Sequence, residues 1–304
     1  KCVRIMTGAA LPRGADAVLP AEKAEAQDRV VHVLDELSPG KHVGTRGEDL
    51  RRGALVLESG RRLRPQDLGV LSSIGVENVP VVARPRVQLV ITGNELLPAG
   101  SPPAGVRIVD ANGPMLAALV ARDGGIAVSA GLVPDDPAAI AEALHADADV
   151  VLVSGGSSVG REDHAPVLLA RDGELAIHGI AMRPSSPAGL GRLDGRLVFL
   201  LPGNPVSCLC AYDFFAGRAI RVLGGRSADW PYSRARVALS RKLVSTVGRV
   251  DYARVKRTSD GIEPLAIGGA SVLSSTTRAD GFVVVPEASE GYPAGAEVDV
   301  WWYD

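Results

Sequence analysis

Four short polar segments of this 304-residue chain carry residue types that can do chemistry, and each directly follows an apolar run. Gly93-Asn94-Glu95 follows Arg86–Thr92, and Asp135-Asp136 follows Ile126–Val133. Ser154-Gly155-Gly156-Ser157-Ser158-Val159-Gly160-Arg161-Glu162-Asp163 follows residues 149–153, and Pro202-Gly203-Asn204-Pro205-Val206-Ser207 follows 197–201. The Gly/Ser segment suits an anion. Its glycines permit tight turns that bring backbone N–H groups to a ligand, and its serine hydroxyls add donors. A phosphate near a helix start is the natural occupant; a plain strand-to-helix turn is the bland alternative. The segment is not a Walker loop, because no Gly-Lys-Ser/Thr follows, and it lacks the Gly-x-Gly-x-x-Gly spacing. Pro202-Gly203-Asn204-Pro205 reads as a rigid turn in which Asn204 caps the helix that Pro205 begins. Its functional reading is a pre-organised wall presenting backbone donors.

Among the acids, Glu95, Asp135 and Asp163 stand where one or two carboxylates could share Mg2+ with substrate phosphates. Asp136 is accounted for as a helix cap. Arg183, within Met182-Arg183-Pro184-Ser185-Ser186-Pro187, has the planar fork that grips an oxyanion. The five histidines are scattered without metal-ligand spacing. Cys208 reads as a small core residue before a reactive thiol.

These segments need a scaffold that brings them together. Residues 84–228 alternate strand and helix: strands at Arg86–Thr92, Ile126–Val133, 149–154 and 197–201, and helices at 114–122, 137–146, 165–171 and 206–223. That alternation implies a parallel sheet covered on both faces, and ligands bind such sheets outside the carboxyl ends of the strands. All four polar segments fall on that edge. Residues 1–53 read as a β-rich domain with short runs at 2–6, 17–20 and 29–33. Residues 54–83 read as a linking segment with two strand-like pieces around a short helix ended by Gly75. Residues 229–304 read as a small all-β barrel or sandwich with strands at 234–239, 252–257, 281–286 and Glu297–Trp302. The fold class is therefore α/β plus β.

Composition narrows the rest. Apolar residues are 46% and charged residues 22%, which is soluble-globular usage and excludes disorder. A net charge of −2 excludes the broad basic surface of a general nucleic-acid binder. Three cysteines cannot staple a chain this long, so a reducing, cytoplasmic setting is expected. The longest uncharged apolar run, 197–212, is interrupted by Pro202, Gly203, Asn204 and Pro205 and is too short for a bilayer span, so no membrane partner is expected.

Five ordered motifs now invite comparison: Arg4-Ile5-Met6-Thr7-Gly8-Ala9, Arg46-Gly47-Glu48-Asp49, Thr92-Gly93-Asn94-Glu95-Leu96, Val153-Ser154-Gly155-Gly156-Ser157-Ser158-Val159-Gly160 and Leu201-Pro202-Gly203-Asn204-Pro205-Val206-Ser207. Together they resemble the molybdopterin molybdenumtransferases, the MoeA-like family that includes the gephyrin E domain, over essentially the whole chain. The family's N-terminal Asp-Asn-Ser-Ala-Met-Asp-Gly-Tyr-Ala motif has no counterpart here. The resemblance implies insertion of molybdenum from molybdate into adenylylated molybdopterin, with Mg2+-assisted release of AMP, by an elongated homodimer that passes its product to a molybdenum-enzyme client. It implies that residues 154–160 (Ser154, Gly155, Gly156, Ser157, Ser158 and Gly160 among them) cradle the pterin phosphate beside Pro202, Gly203, Asn204 and Pro205. It assigns essential acidic roles, including metal binding, to Glu95, Asp135 and Asp163, a motif threonine to Thr7, and C-terminal-domain contacts to Arg254 and Ser271. The chain departs from the family at Asn94, where Asp is usual, at Arg183, where Lys is usual, and at Ser185-Ser186-Pro187, where Gly-Lys-Pro is common. A second reading is a non-catalytic carrier of molybdopterin or of the finished cofactor.

Overall fold

The computed structural model describes residues 2–156, 163–266 and 269–303, and its contacts divide the chain into two compact units, Lys1–Gly69 and Val70–Asp304. In the first unit the regular elements are a short 3-10 turn and one antiparallel hairpin, β1 (Ala24–Gln27) with β2 (Val30–Val33). Residues 2–6 and 17–20, expected as β-runs, form no strand. Val3 and Met6 are exposed, so pairing there would cover no apolar surface. Asp67 is the buried side chain of this unit, held by the guanidinium groups of Arg61 and Arg64. The short helix expected before Gly75 is α1 (Pro65–Ser73). Gly75 takes φ +80° to end it, while the N–H of Val76 donates to Leu71 O. The flanking strand-like pieces do not form.

The second unit is built on a six-stranded sheet. In chain order its elements are β3 (Arg86–Thr92), α2 (Asn112–Arg122), β4 (Ile126–Val133), α3 (Pro137–Leu144), β5 (Val150–Ser154), α4 (His164–Asp172), β6 (Glu174–His178), β7 (Gly189–Leu193), β8 (Arg196–Leu201) and α5 (Pro205–Ala211). The strand order is β4-β3-β5-β8-β7-β6. The first four strands run parallel, as the alternation predicts, and β7 and β6 extend the sheet antiparallel. Every residue of β5 is buried. Val150 and Leu152 pack toward α2 and α5, whereas Val151 and Val153 pack toward α3 and α4. That is why a continuous apolar run marks a strand covered on both sides.

The antiparallel pair was invisible to pattern because β7 is Gly-Leu-Gly-Arg-Leu. A Cβ on Gly191 would lie 2.0 Å from Glu174 O, so close strand approach requires the very residue that lowers strand propensity. The expected helix 206–223 is continuous but contains a π turn, Tyr212–Ala216, between α5 and the final segment Gly217–Leu223.

The C-terminal strands are β9 (Ser233–Ala238), β10 (Val250–Thr258), β11 (Gly261–Ala266), β12 (Gly281–Val285) and β13 (Glu297–Trp302), ordered β9-β13-β12-β10-β11. A Leu239–Ile262 bridge and the Ser240 N–H on Ile262 O (2.8 Å) join the two outer strands, which closes the sheet into a small barrel. β11 escaped the sequence reading because it carries Pro264. Met182–Arg183 pairs in parallel with Val250 and Asp251 of β10, so the barrel and the α/β sheet are stitched by main chain.

Candidate functional site

The polar segments meet at the carboxyl ends of the parallel strands through direct contacts. Thr92 Oγ1 donates to one oxygen of Asp135, and the backbone N–H of Asn94 donates to the other (2.9 Å). The Asp135 N–H returns a bond to Asn94 Oδ1 (3.3 Å), so the tips of β3 and β4 are clasped. Gly155, at φ +97°, lies so close to β3 that a Cβ there would be 2.1 Å from Thr92 O. A Cβ on Gly203 would lie 3.6 Å from Gly155 Cα, which places the turn after β8 on the loop after β5. Asn112 completes the chain: its Nδ2 donates to Ser154 Oγ (2.9 Å) and to Gly203 O (2.8 Å). Four strand ends and the start of α2 thus form one rim, with glycine backbone at its centre and carboxylates on its β3–β4 side.

Each expected residue has a definite place. Glu95 is exposed, and its carboxylate folds over Gly93, where a Cβ would sit 3.0 Å from both oxygens. Asp135 is half-buried in the clasp. Asp163 occupies the cap position of α4, half-buried, and makes no side-chain capping bond. Ser154 is buried, Gly155 and Gly156 are half-buried, and Gly156 takes φ +53°. Ser157, Ser158 and Gly160 lie outside the described residues.

Pro202 is buried and Pro205 opens α5, but the Asn204 side chain is exposed and makes no capping bond, contrary to the capping expectation. Gly203 is exposed beside it. Ser271 is reached from the barrel: its neighbour Ala270 accepts the N–H of Val206 (2.9 Å), so a barrel loop docks at the head of α5.

The two expected cations are placed differently from an open oxyanion grip. Arg183 turns its fork onto Asp251, with Nε on Oδ1 at 2.9 Å and Nη2 on Oδ2, because the fully buried Asp251 needs a charge partner. Arg254 is fully buried in β10, opposite Phe282. Thr7 belongs to the first unit, exposed on the turn closed by the Ala9 N–H on Met6 O (3.0 Å).

Electrostatically the rim is a donor surface with a few acids. Among the described residues no group of three His, Cys, Asp or Glu side chains could hold a metal ion, so Glu95, Asp135 and Asp163 are not assembled into a cage. Cys208 lies behind the rim, 3.7 Å from Ser154 Oγ, and burial pushes its thiol up to about 12, which suits a core residue and not a nucleophile. Sequence reasoning missed Asn112 and Asp110. Asp110 Oδ1 accepts the Gly113 N–H (2.9 Å) at the head of α2. The readable signal was an Asp-x-Asn placed directly before an apolar helix.

The chain is similar to several known proteins. A model of a probable molybdopterin binding domain matches residues 88–221. Models of the MoeA N-terminal region (domain I and II) and C-terminal region (domain IV) match residues 1–75 and 236–303. A putative molybdopterin biosynthesis protein of Methanocaldococcus jannaschii is 31% identical over 98% of this chain and 75% of its own length. Molybdopterin molybdenumtransferase 2 of Mycobacterium tuberculosis is 33% identical over 98% of this chain and 76% of its own. Two structures of the molybdopterin biosynthesis MoeA protein from Pyrococcus horikoshii superpose with TM-scores of 0.81 and 0.75. They are 32% and 29% identical and cover 98% of this chain and 74% of theirs. No helix among the described residues is long and apolar enough to cross a membrane.

Proposed function

The chain belongs to the MoeA family, and from that premise we propose that it is a molybdopterin molybdenumtransferase acting in molybdenum cofactor biosynthesis. Its substrates would be molybdate and adenylylated molybdopterin, and its products AMP and the metal-loaded cofactor for a molybdenum-enzyme client. The observation that carries this reading is the continuous rim from Asp135 through Thr92, Gly155 and Gly203 to Asn112. The backbone of Ser154-Gly155-Gly156 would receive phosphate oxygens, because its two glycines put no Cβ in their way. Molybdate is a dianion, and hydroxyl and backbone donors suit it better than a dense cationic patch.

The acids on the β3–β4 side fit Mg2+ that arrives with the nucleotide. Glu95 is exposed and Asp135 is fixed by two donors, so two hard oxygen ligands would be completed by phosphate oxygens and water. Such an ion neutralises charge at a pyrophosphate. Asp135 keeps its orientation through Thr92 and Asn94, which is the fixed geometry that phosphoryl chemistry needs. Asp163, at the head of α4, would act on the nucleotide from a position of its own. A homodimeric, cytoplasmic enzyme divided near residues 53, 83 and 228 completes the proposal.

Purified full-length protein is incubated with adenylylated molybdopterin, molybdate and Mg2+, and AMP is measured. Molybdate-dependent AMP release supports the transferase. Retained pterin without AMP above background rejects it in favour of the carrier, a reading favoured by the commitment of the Arg183 fork to Asp251. Failure to bind molybdopterin at all removes both.

A further inference from the structure

Asn112 is the first residue of α2 and only 7% exposed, yet it does not serve that helix. The capping task at Gly113 is performed by Asp110. The Asn112 carboxamide is turned toward the rim, where both of its donor bonds join segments from different strands, one to Ser154 and one to Gly203. Its Oδ1 is buried and has no hydrogen-bond partner. Buried polar atoms are normally satisfied, and an exception in a well-packed place points to function.

The two segments it joins touch backbone to backbone, with the Cβ position of Gly203 3.6 Å from Gly155 Cα. The β5–β8 ladder ends at the Ser154–Leu201 pair, and beyond it the Asn112 carboxamide is the side chain that ties Ser154 to Gly203 across the glycine contact.

We propose that Asn112 is a positioning residue that fixes the Ser154-Gly155-Gly156 loop against the Pro202-Gly203-Asn204-Pro205 turn, and that its vacant Oδ1 receives a donor when the pterin nucleotide is bound. The second clause rests on the function proposed above; the first stands on the contacts alone. Asn112→Ala removes both ties, while Asn112→Asp keeps the shape but sets a carboxylate oxygen against the Gly203 carbonyl. Leu116→Ala, one turn along α2 and fully buried, supplies a variant that weakens packing without touching the rim.

Hydrogen exchange and equilibrium binding of adenylylated molybdopterin are measured on all four proteins. The expected result is that peptides covering 153–156 and 202–206 exchange at least about 10-fold faster in both Asn112 variants, with the rest of the sheet unchanged. Affinity should fall by about 10- to 100-fold, the range expected when a positioned ligand contact loosens. Leu116→Ala should lower the unfolding temperature and leave affinity within about twofold. Unchanged exchange in those two peptides overturns the positioning role whether or not any ligand binds. Normal affinity in Asn112→Ala, with wild type binding tightly, overturns the ligand-linked acceptor. Wild type that binds nothing refutes the proposed function and with it the second clause, and leaves the exchange result to judge the first.

Discussion

Gly155 offers the sharpest test of the rim, because two independent features forbid a side chain there. Its φ of +97° is a conformation that L-residues adopt at a penalty of about 1–2 kcal/mol. A Cβ would also lie 2.1 Å from Thr92 O, so β3 and the loop must part by about 1 Å to restore ordinary contact. Ser154, the residue before it, is in register with Ile91 on one side and Leu201 on the other, so that movement strains two ladders at once. Overpacking of this kind costs about 1–3 kcal/mol. Gly155→Ala should therefore lose about 2–5 kcal/mol, offset by up to about 1 kcal/mol from the lower entropy of the unfolded chain.

Gly195→Ala is the matched control. Gly195 has φ +79° with nothing within 4 Å of its Cβ position, so it carries the conformational penalty alone. Thermal unfolding followed by circular dichroism should place Gly155→Ala below Gly195→Ala by at least about 2 °C, and by as much as about 12 °C, at 2–4 °C per kcal/mol for a unit of this size. A displacement of about 1 Å in a binding loop also reduces reaction rates by about 100-fold. AMP release by Gly155→Ala should fall by that factor while the control stays within about twofold. Equal melting temperatures and equal activities for the two variants would refute the claim that the loop is pressed against Thr92.

Other consequences are open to direct measurement. Cys2 is exposed whereas Cys208 and Cys210 are buried with thiols pushed up by desolvation, so a thiol reagent at pH 8 should titrate one equivalent rapidly and three only in denaturant; a second fast equivalent contradicts the packing. Burial raises the Asp213 pKa above the ordinary carboxylate value of 3.8, outweighing the attraction of Arg122. The native state then holds that proton more tightly than the unfolded chain. The contribution is therefore largest below 3.8 and is lost as pH rises through the raised native value. Urea unfolding across pH 4–7 should show that downward component in wild type and not in Asp213→Asn, and identical slopes would exclude it. Arg183→Met leaves the buried Asp251 with Ser245 and a more distant Arg249 (3.8 Å), and should lower stability by about 3–5 kcal/mol. Arg183→Met with Asp251→Asn should recover most of that loss in a double-mutant cycle, and strict additivity would show that the pair is not coupled.

What the sequence could and could not reveal follows the range of the interactions involved. The runs at Val150–Ser154 and 197–201 are legible because burial on both faces leaves an unbroken apolar signature, Arg86–Thr92 shows the same signature interrupted by the buried Gln88, and parallel topology alone then sends the residues after them to a shared edge. The clustering of Glu95, Asp135, Ser154 and Gly203 needed no knowledge of their partners. The fate of the cations did. Arg183 is 68 positions from Asp251, and no local pattern distinguishes a fork that meets an oxyanion from one that meets a buried carboxylate. Asn112 is 42 positions from Ser154 and 91 from Gly203, and reads as an ordinary helix-start residue until those distances collapse.

The barrel is held to the α/β sheet by interactions of the same long range. Its strands were largely visible by alternation, but its relation to the rim is made by long-range contacts: Arg183 on Asp251, the pairing of Met182–Arg183 with β10, the Val206 N–H on Ala270 O, and the packing of Val206 and Cys210 with Tyr252 and Phe282. The barrel therefore docks at the head of α5 through Ala270, one residue before Ser271, a contact that no motif near Ser271 in the sequence announces.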